Sequence, residues 1–350
     1  MEDKKKFGFS VIIPTRNEED YIEECINSLL DSFELSYIDN TEFIIVDGMS
    51  TDRTVDIVKE KFSHINLKIL ENPNLYQSYA MNIGIENSND SAEFSLIIRA
   101  DAHCRYPPNY IFNCYQASRS SRGGNAGSIQ KAIGTNIFTR AVATVMNSKF
   151  GMGGVKYRRQ NSDVNYFDRE ENYMEADTAY LGCWRKSDLV SLGGFNEEFQ
   201  INEDYELNIR IRKSGKLVTV NENLEVSYYV RNSLFGLVKQ FFRYGLWKTK
   251  TLSIHPDSLK KRQLAPVLFV LFLVSLGIGY SILPYYQVLN WIIGIVGFLW
   301  LILIISIWKN SPRISNIFLI PIIVLSIHIS WGLGFLYGLL RWVKGGWNKL

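Results

Sequence analysis

The chain has 350 residues, with 38 Lys and Arg against 35 Asp and Glu and a net charge of +3. That charge is too small to argue for a nucleic-acid partner, and no basic stripe interleaved with aromatics runs through the first two-thirds. The four cysteines, Cys25, Cys104, Cys114 and Cys183, form no C-x-x-C pair, which speaks against a zinc site or disulfide framework and fits a reducing compartment.

The start, "MEDKKK", imitates the basic end of a secretory leader, but the apolar stretch "FGFSVII" stops at Pro14 and runs into "TRNEED". It is too short for a leader, so the charged part is expected to stay in the cytoplasm. "FSVIIPTRNEEDYIEECINSLL" reads as strand, loop and helix. The strand is continuously apolar, as when both faces are covered, and Ile22, Cys25, Ile26, Leu29 and Leu30 fall on one helical face. "EFIIVDGMSTDRTVDIVKEKF" repeats the pattern: a strand ends at Asp47, and a helix capped by Ser50 or Asp52 carries Val55, Val58 and Phe62. "LKIL" gives a third strand, "LYQSYAMNIGIENS" a helix and "FSLII" a fourth strand.

Strands alternating with helices predict an α/β fold with a mostly parallel sheet, helices on both faces and ligands beyond the carboxyl ends of the strands. The polar residues gather there: Thr15, Asn17 and Glu18 after the first strand, Asp47 after the second, Asp101 and His103 after the fourth. Continued strand alternation would put Asp101 and His103 on one face. Local chemistry offers plainer roles, with Asp47-Gly48 as turn residues and Asp52 as a helix cap. No G-x-G-x-x-G or G-x-x-x-x-G-K-[ST] occurs, so a dinucleotide or P-loop site is not expected.

Residues 118–170, rich in Gly, Ser and Arg, read as loops that close over a ligand. Trp184 suits either a sugar-stacking platform or the core. "EDYELNIRIRKSG" is a helix with Leu207, Ile209 and Ile211 as its apolar members and Gly215 as its stop. Glu203 and Asp204 at its start would by themselves complement the helix dipole.

Taken together, "SVIIPTRNEEDYIEECINSLL", "EFIIVDGMSTDRT", "AMNIGI", "RADAHCRYPPNY", "GGFNEEFQINEDYELNIRIRKSG" and "QFFRYG" resemble the inverting family-2 glycosyltransferases of GT-A type over residues 9 to about 250. Within that family the chain is most similar to the succinoglycan-type membrane glucosyltransferases, which share Asp-Ala-His in place of Asp-x-Asp and an apolar C-terminal tail. The resemblance implies that Pro14, Thr15 and Glu18 line the nucleotide pocket, that Asp47 accepts from the base, and that Asp101 and His103 hold a divalent metal against the diphosphate. It makes Asp204 the catalytic base with Glu203 as a helper, leaves Glu206 structural, and puts Gln240, Arg243 and Tyr244 near the diphosphate and acceptor. Met81 stands where many relatives have arginine. An imidazole beside a carboxylate favours Mn2+ over Mg2+.

Three apolar runs, 264–283, 288–308 and 317–340, are long enough to span a bilayer. "KKR" at 260–262, with Lys309 and Arg313 after the second run, puts the catalytic part and the second link in the cytoplasm. Arg341, Lys344 and Lys349 pull the tail to the same side. Pro321 and the glycines leave room for a re-entrant last segment. "SLFGLVKQFFRYGLWKTKTL" reads as an interfacial helix. The expected organisation is a catalytic domain over 1–232, an interfacial helix and linker over 233–262, and a membrane region over 263–350. The resemblance then implies transfer of a sugar from a nucleotide-sugar donor, UDP-glucose foremost, to a lipid-linked saccharide. The rivals are transfer to a polyprenyl phosphate and an inactive membrane scaffold.

Overall fold

The computed structural model describes residues 7–31, 40–90, 94–120, 124–149, 151–152, 154–158, 173–282, 286–309, 311 and 313–347. The chain divides into two units, Met1–Lys131 with Arg159–Tyr229, and Ala132–Arg158 with Val230–Leu350.

In the first unit, β1 (Phe7–Thr15), β2 (Thr41–Asp47), β3 (Leu67–Glu71), β4 (Phe94–Arg99) and β8 (Gly182–Arg185) form a sheet of order β3-β2-β1-β4-β8. The first four strands are parallel, and β8 runs antiparallel to β4. Every residue of β2 is buried, which is why the strand is apolar without alternation. The helices α1 (Ile22–Leu30), α2 (Thr54–Phe62) and α3 (Gln77–Glu86) connect the strands, as the periodicity predicts. Strand order steps outward from β1 to β3 and returns to β4 on the other side of β1. The carboxyl end of β1 is therefore the place where connections diverge and a crevice opens.

A second sheet joins β5 (Cys104–Arg105), β6 (Asn125–Ile133) and β9 (Val218–Tyr229) in the order β5-β9-β6, and β7 (Tyr173–Glu175) also pairs with β9. β5 pins the turn after β4, because Cys104 pairs with Tyr228. The remaining helices of this unit are α4 (Tyr110–Ser120), α6 (Lys186–Ser191) and α7 (Glu203–Lys213).

The expectation of loops over 118–170 needs correction. Residues 125–133 are strand β6, and Ile137–Met146 form helix α5, closed at its start by a reciprocal capping box between Asn136 and Thr139. Small and polar residues let β6 sit buried inside a sheet that only distant strands complete. Residues 159–172 of the expected loop lie outside the described residues.

The second unit holds α5, α8 (Leu234–Ile254), α9 (Lys261–Ile282), α10 (Tyr286–Trp308) and α11 (Ile314–Val343). The last three are long and apolar enough to cross a membrane, with mean hydropathy of 2.2, 2.6 and 2.1. The re-entrant possibility for the last segment is overturned, because α11 is one continuous helix that accommodates Pro321 in its third turn. Its glycines serve close packing instead. A Cβ at Gly334 would lie 2.0 Å from the Phe242 carbonyl oxygen of α8, and one at Gly332 would lie 2.5 Å from that of Pro266 in α9.

Candidate active site

The loops after β1 and β2 are stitched together. Asn17, at φ +55°, donates its backbone N–H to Ser50 Oγ at 2.9 Å and accepts from the Thr51 N–H through Oδ1 at 2.8 Å. The Glu18 N–H donates to Thr54 Oγ1 at 2.8 Å, and the Glu19 N–H to Asp52 Oδ2 at 3.1 Å. Asp52 also accepts from the Thr54 N–H at 3.0 Å, but the residue at the cap position of α2 is Arg53, with no side-chain cap bond, so the expected Asp52 cap is not formed. Burial would lift the Asp52 carboxyl, but the bonds from Thr54 and Glu19 hold it below the usual range. Ser50 does not cap the helix; it bonds Asp47, N–H to Oδ2 at 3.0 Å and Oγ to Oδ1 at 2.5 Å. Asp47 thus has the turn chemistry that the sequence allowed, and each oxygen keeps a further lone pair.

These loops form one wall of a cleft, and the turn after β4 forms the other. Pro14, Thr15, Glu18, Asp101 and His103 all line it, with Tyr76 and Gln77 at the start of α3. Asp101 and His103 are not on a shared strand face. β4 ends at Arg99, and the two residues sit in the turn before β5. The cleft unites them because β5 and the Tyr106 hydroxyl, bonded to the Asp101 carbonyl at 3.1 Å, fold the turn back. His103 Nδ1 lies 3.1 Å from Glu18 Oε1. Thr15 Oγ1 is buried with no hydrogen-bond partner among the described residues, as expected of a group whose partner is a ligand.

Asp101 is almost fully buried. Its Oδ1 accepts from Arg99 Nε at 3.0 Å and from Gln77 Nε2 at 2.9 Å, and Tyr180 approaches Oδ2 at 3.4 Å. Burial alone would lift this carboxyl; the Arg99 guanidinium, with His103, more than reverses that and holds it below the usual range. Arg99 also reaches Glu203, Nη1 to Oε1 at 3.2 Å. Burial would loosen the Arg99 proton, but Asp101, Glu203 and Asp204 hold it more tightly than usual.

Glu203 and Asp204 open α7 after Asn202, which has φ +66°. Burial first, then Asp204, pushes Glu203 up to about 7 against the pull of Arg99. Burial also raises Asp204, again against Arg99. Both acids therefore take up protons more readily than free carboxylates. The preceding loop is clasped from two sides. Asn82 of α3 accepts from the Phe195 N–H at 2.8 Å and donates to its carbonyl at 2.9 Å, while Arg210 donates to the carbonyls of Leu192 and Gly194 and pairs with Glu206 at 2.8 Å. Glu206 is structural, as expected, and Gly193 and Gly194 take φ of +80° and +68° in this turn.

The family model described as glycosyl transferase family 2 matches residues 10–178. The succinoglycan biosynthesis protein ExoA of Rhizobium meliloti is 29% identical over 258 residues, covering 73% of this chain and 74% of that protein. A dolichyl N-acetyl-α-D-glucosaminyl phosphate 3-β-D-2,3-diacetamido-2,3-dideoxy-β-D-glucuronosyltransferase of Methanococcus voltae is 31% identical over 277 residues, covering 76% of this chain and 80% of that enzyme. The chain belongs to glycosyl transferase family 2. Among solved structures, the mannosyltransferase PcManGT from Pyrobaculum calidifontis, in complex with GDP-Man and Mn2+, superposes with a TM-score of 0.65 at 15% identity over 98% of this chain and 88% of that one. GalNAc-T7 with UDP, GalNAc and Mn2+ gives 0.51 at 15% identity over 69% and 50%. The fold is that of these GT-A transferases.

In this family-2 glycosyltransferase Trp184 takes the second of the two roles that the sequence left open. Trp184 is 2% exposed, packed edge-on against Phe195 at 5.7 Å and paired with Ile97 across the sheet. It is a core residue and presents no face to a sugar. Met81 is fully buried in α3. Arg99, given no role from the sequence, is the cation shared by the acids of the site; its only signal was a charge closing an apolar strand. Gln240, Arg243 and Tyr244 belong to the second unit, on α8, where Gln240 Nε2 donates to the Tyr244 hydroxyl at 2.9 Å.

Among the described residues no group of three or more His, Cys, Asp or Glu could hold a metal by itself. Asp101 and His103 offer one carboxylate and one imidazole. Glu18 occupies the imidazole's Nδ1 side and leaves Nε2 as the ligating nitrogen, the usual arrangement around a metal-bound histidine. This donor set fits a divalent ion whose other ligands are phosphate oxygens and water.

Proposed function

We propose that this family-2 glycosyltransferase moves a sugar, glucose from UDP-glucose foremost, onto a lipid-linked saccharide at the cytoplasmic face of a membrane, with inversion at the anomeric carbon. The observation that carries the reading is the joining of the Asp101–His103 cleft to the Asp204 helix through one buried arginine. The names of the two relatives, one in succinoglycan biosynthesis and one acting on a dolichyl-linked sugar, support a lipid-linked acceptor. The three apolar helices support a membrane location.

Pro14, Thr15 and Glu18 line the nucleotide end, and Asp47 accepts from the base through its remaining lone pairs. Asp101 and His103 would hold a divalent cation, Mn2+ before Mg2+; when bound, it supplies neutralisation of the departing diphosphate. Asp204 takes the proton of the acceptor hydroxyl as that oxygen bonds to the anomeric carbon and the bond to the diphosphate breaks. Burial raises the Asp204 carboxyl, which makes it a stronger base than a free carboxylate.

The test is UDP release by the purified full chain from a panel of nucleotide sugars, with extracted lipid-linked acceptor. Release is expected from one UDP-sugar with Mn2+ and not with chelator. Asp204→Asn is expected to lower release by about 10²-fold or more while UDP binding stays within a few-fold. Metal-independent release, or full activity in Asp204→Asn, would refute the assignments.

A further inference from the structure

β4 ends in an arginine that is 5% exposed. A buried guanidinium is tolerated only when its donors are taken. Those of Arg99 go to two separate parts of the site. Nε donates to Asp101 Oδ1 at 3.0 Å, in the turn that lines the cleft. Nη1 donates to Glu203 Oε1 at 3.2 Å, one residue before Asp204. The backbone behind this fork is fixed on both sides, since Arg99 stands opposite Ile12 of β1 and Gly182 of β8. With Gln77 also donating to Oδ1 at 2.9 Å, that oxygen is filled twice, and among the described residues Oδ2 carries only the long contact from Tyr180. The carboxylate is thereby held with Oδ2 as its less occupied oxygen.

We propose that Arg99 is a positioning residue that couples the two halves of the reaction centre, linking the metal-side carboxylate Asp101 to the start of the base-bearing helix through Glu203. This rests on the reading of Asp101 as a metal ligand and of Asp204 as the base. A guanidinium suits the role because its rigid fork holds two carboxylates at a set separation, which a single ammonium on a flexible stem cannot do. The consequence is that Glu203, which binds no metal itself, influences metal affinity through Arg99.

The experiment is a double-mutant cycle on Mn2+ binding by the purified full chain with saturating UDP, following free Mn2+ by electron paramagnetic resonance. Wild type, Glu203→Gln, Arg99→Lys and the double variant are compared, with thermal unfolding midpoints to confirm folding. Glu203→Gln is expected to weaken Mn2+ binding roughly 3- to 10-fold in the wild-type background and less than about twofold in the Arg99→Lys background. Should Arg99→Lys not fold, Arg99→Met takes its place in the cycle. An equal effect in both backgrounds means that Glu203 acts by its field alone and overturns the coupling, as does no effect of Glu203→Gln in the wild type. A wild type that binds no Mn2+ with UDP overturns the metal reading and this inference with it.

Discussion

Glu203 has a titration that differs between folded and unfolded chain. Free, it ionises near 4.5; folded, burial and Asp204 push it up to about 7. Between those values the folded state binds the extra proton, so stability falls as pH rises from 4.5 to 7 and levels off above. Asp204 is shifted in the same direction. Thermal unfolding of the detergent-solubilised wild type is therefore expected to move to lower temperature across this window, with a flatter profile in Glu203→Gln. Equal slopes in the two proteins would show that Glu203 does not carry the effect. At this scale the identity of the acids was legible, because a carboxylate at a strand end or helix start stands out against apolar neighbours. Their partners were not: Asp47 is bonded by Ser50, and Glu18 meets an imidazole 85 positions away.

Periodicity gave α1 to α3 and β1 to β4 close to their observed bounds, because each is amphipathic or wholly apolar against its own neighbours. It missed β6, whose small and polar residues carry no clear period and whose burial is supplied by distant strands, and it missed α5 although Phe138, Ala141, Val142, Val145 and Met146 stand at helical spacing there. The glycines of α11 read as breakers but act as contacts. Gly334→Ala would put a methyl against the Phe242 backbone oxygen, which cannot move without shifting α8. Overpacking of this kind costs about 1–3 kcal/mol, so a lower unfolding midpoint or reduced folded yield is expected. Gly297→Ala in α10, where an added Cβ meets nothing within 4 Å, is the control and should change little. Equal behaviour of the two variants would remove the close-packing account.

For the whole chain, the proposed membrane reading makes three crossings, an odd number. With the start of α9 on the cytoplasmic side, the link at 309–313 returns to that side and the residues after α11 lie opposite. A continuous α11 of about 45 Å, at 1.5 Å per residue, supports one full crossing. All four native cysteines are buried, so Ser311→Cys gives a clean label site. In sealed right-side-out vesicles it should react with an impermeant maleimide only after permeabilisation, and labelling of intact vesicles would reverse the topology. The positive charge at Arg341 and Lys344 opposes this arrangement. It is outweighed if the charges flanking the first two runs set the orientation.

The order of strands and helices, the acids at the strand ends and the three apolar runs were determined by the sequence itself, since each depends on residues within a few positions of one another. Tertiary structure decided which of those groups meet. Arg99 and Glu203 are 104 positions apart and share a hydrogen bond only because β4 and α7 converge on one cleft. The segment 132–158 joins the second unit although it lies between pieces of the first. Trp184 is core because β8 inserts beside β4. No local pattern encodes such pairings; they follow from the closure of the sheets, which brings distant stretches of chain into contact.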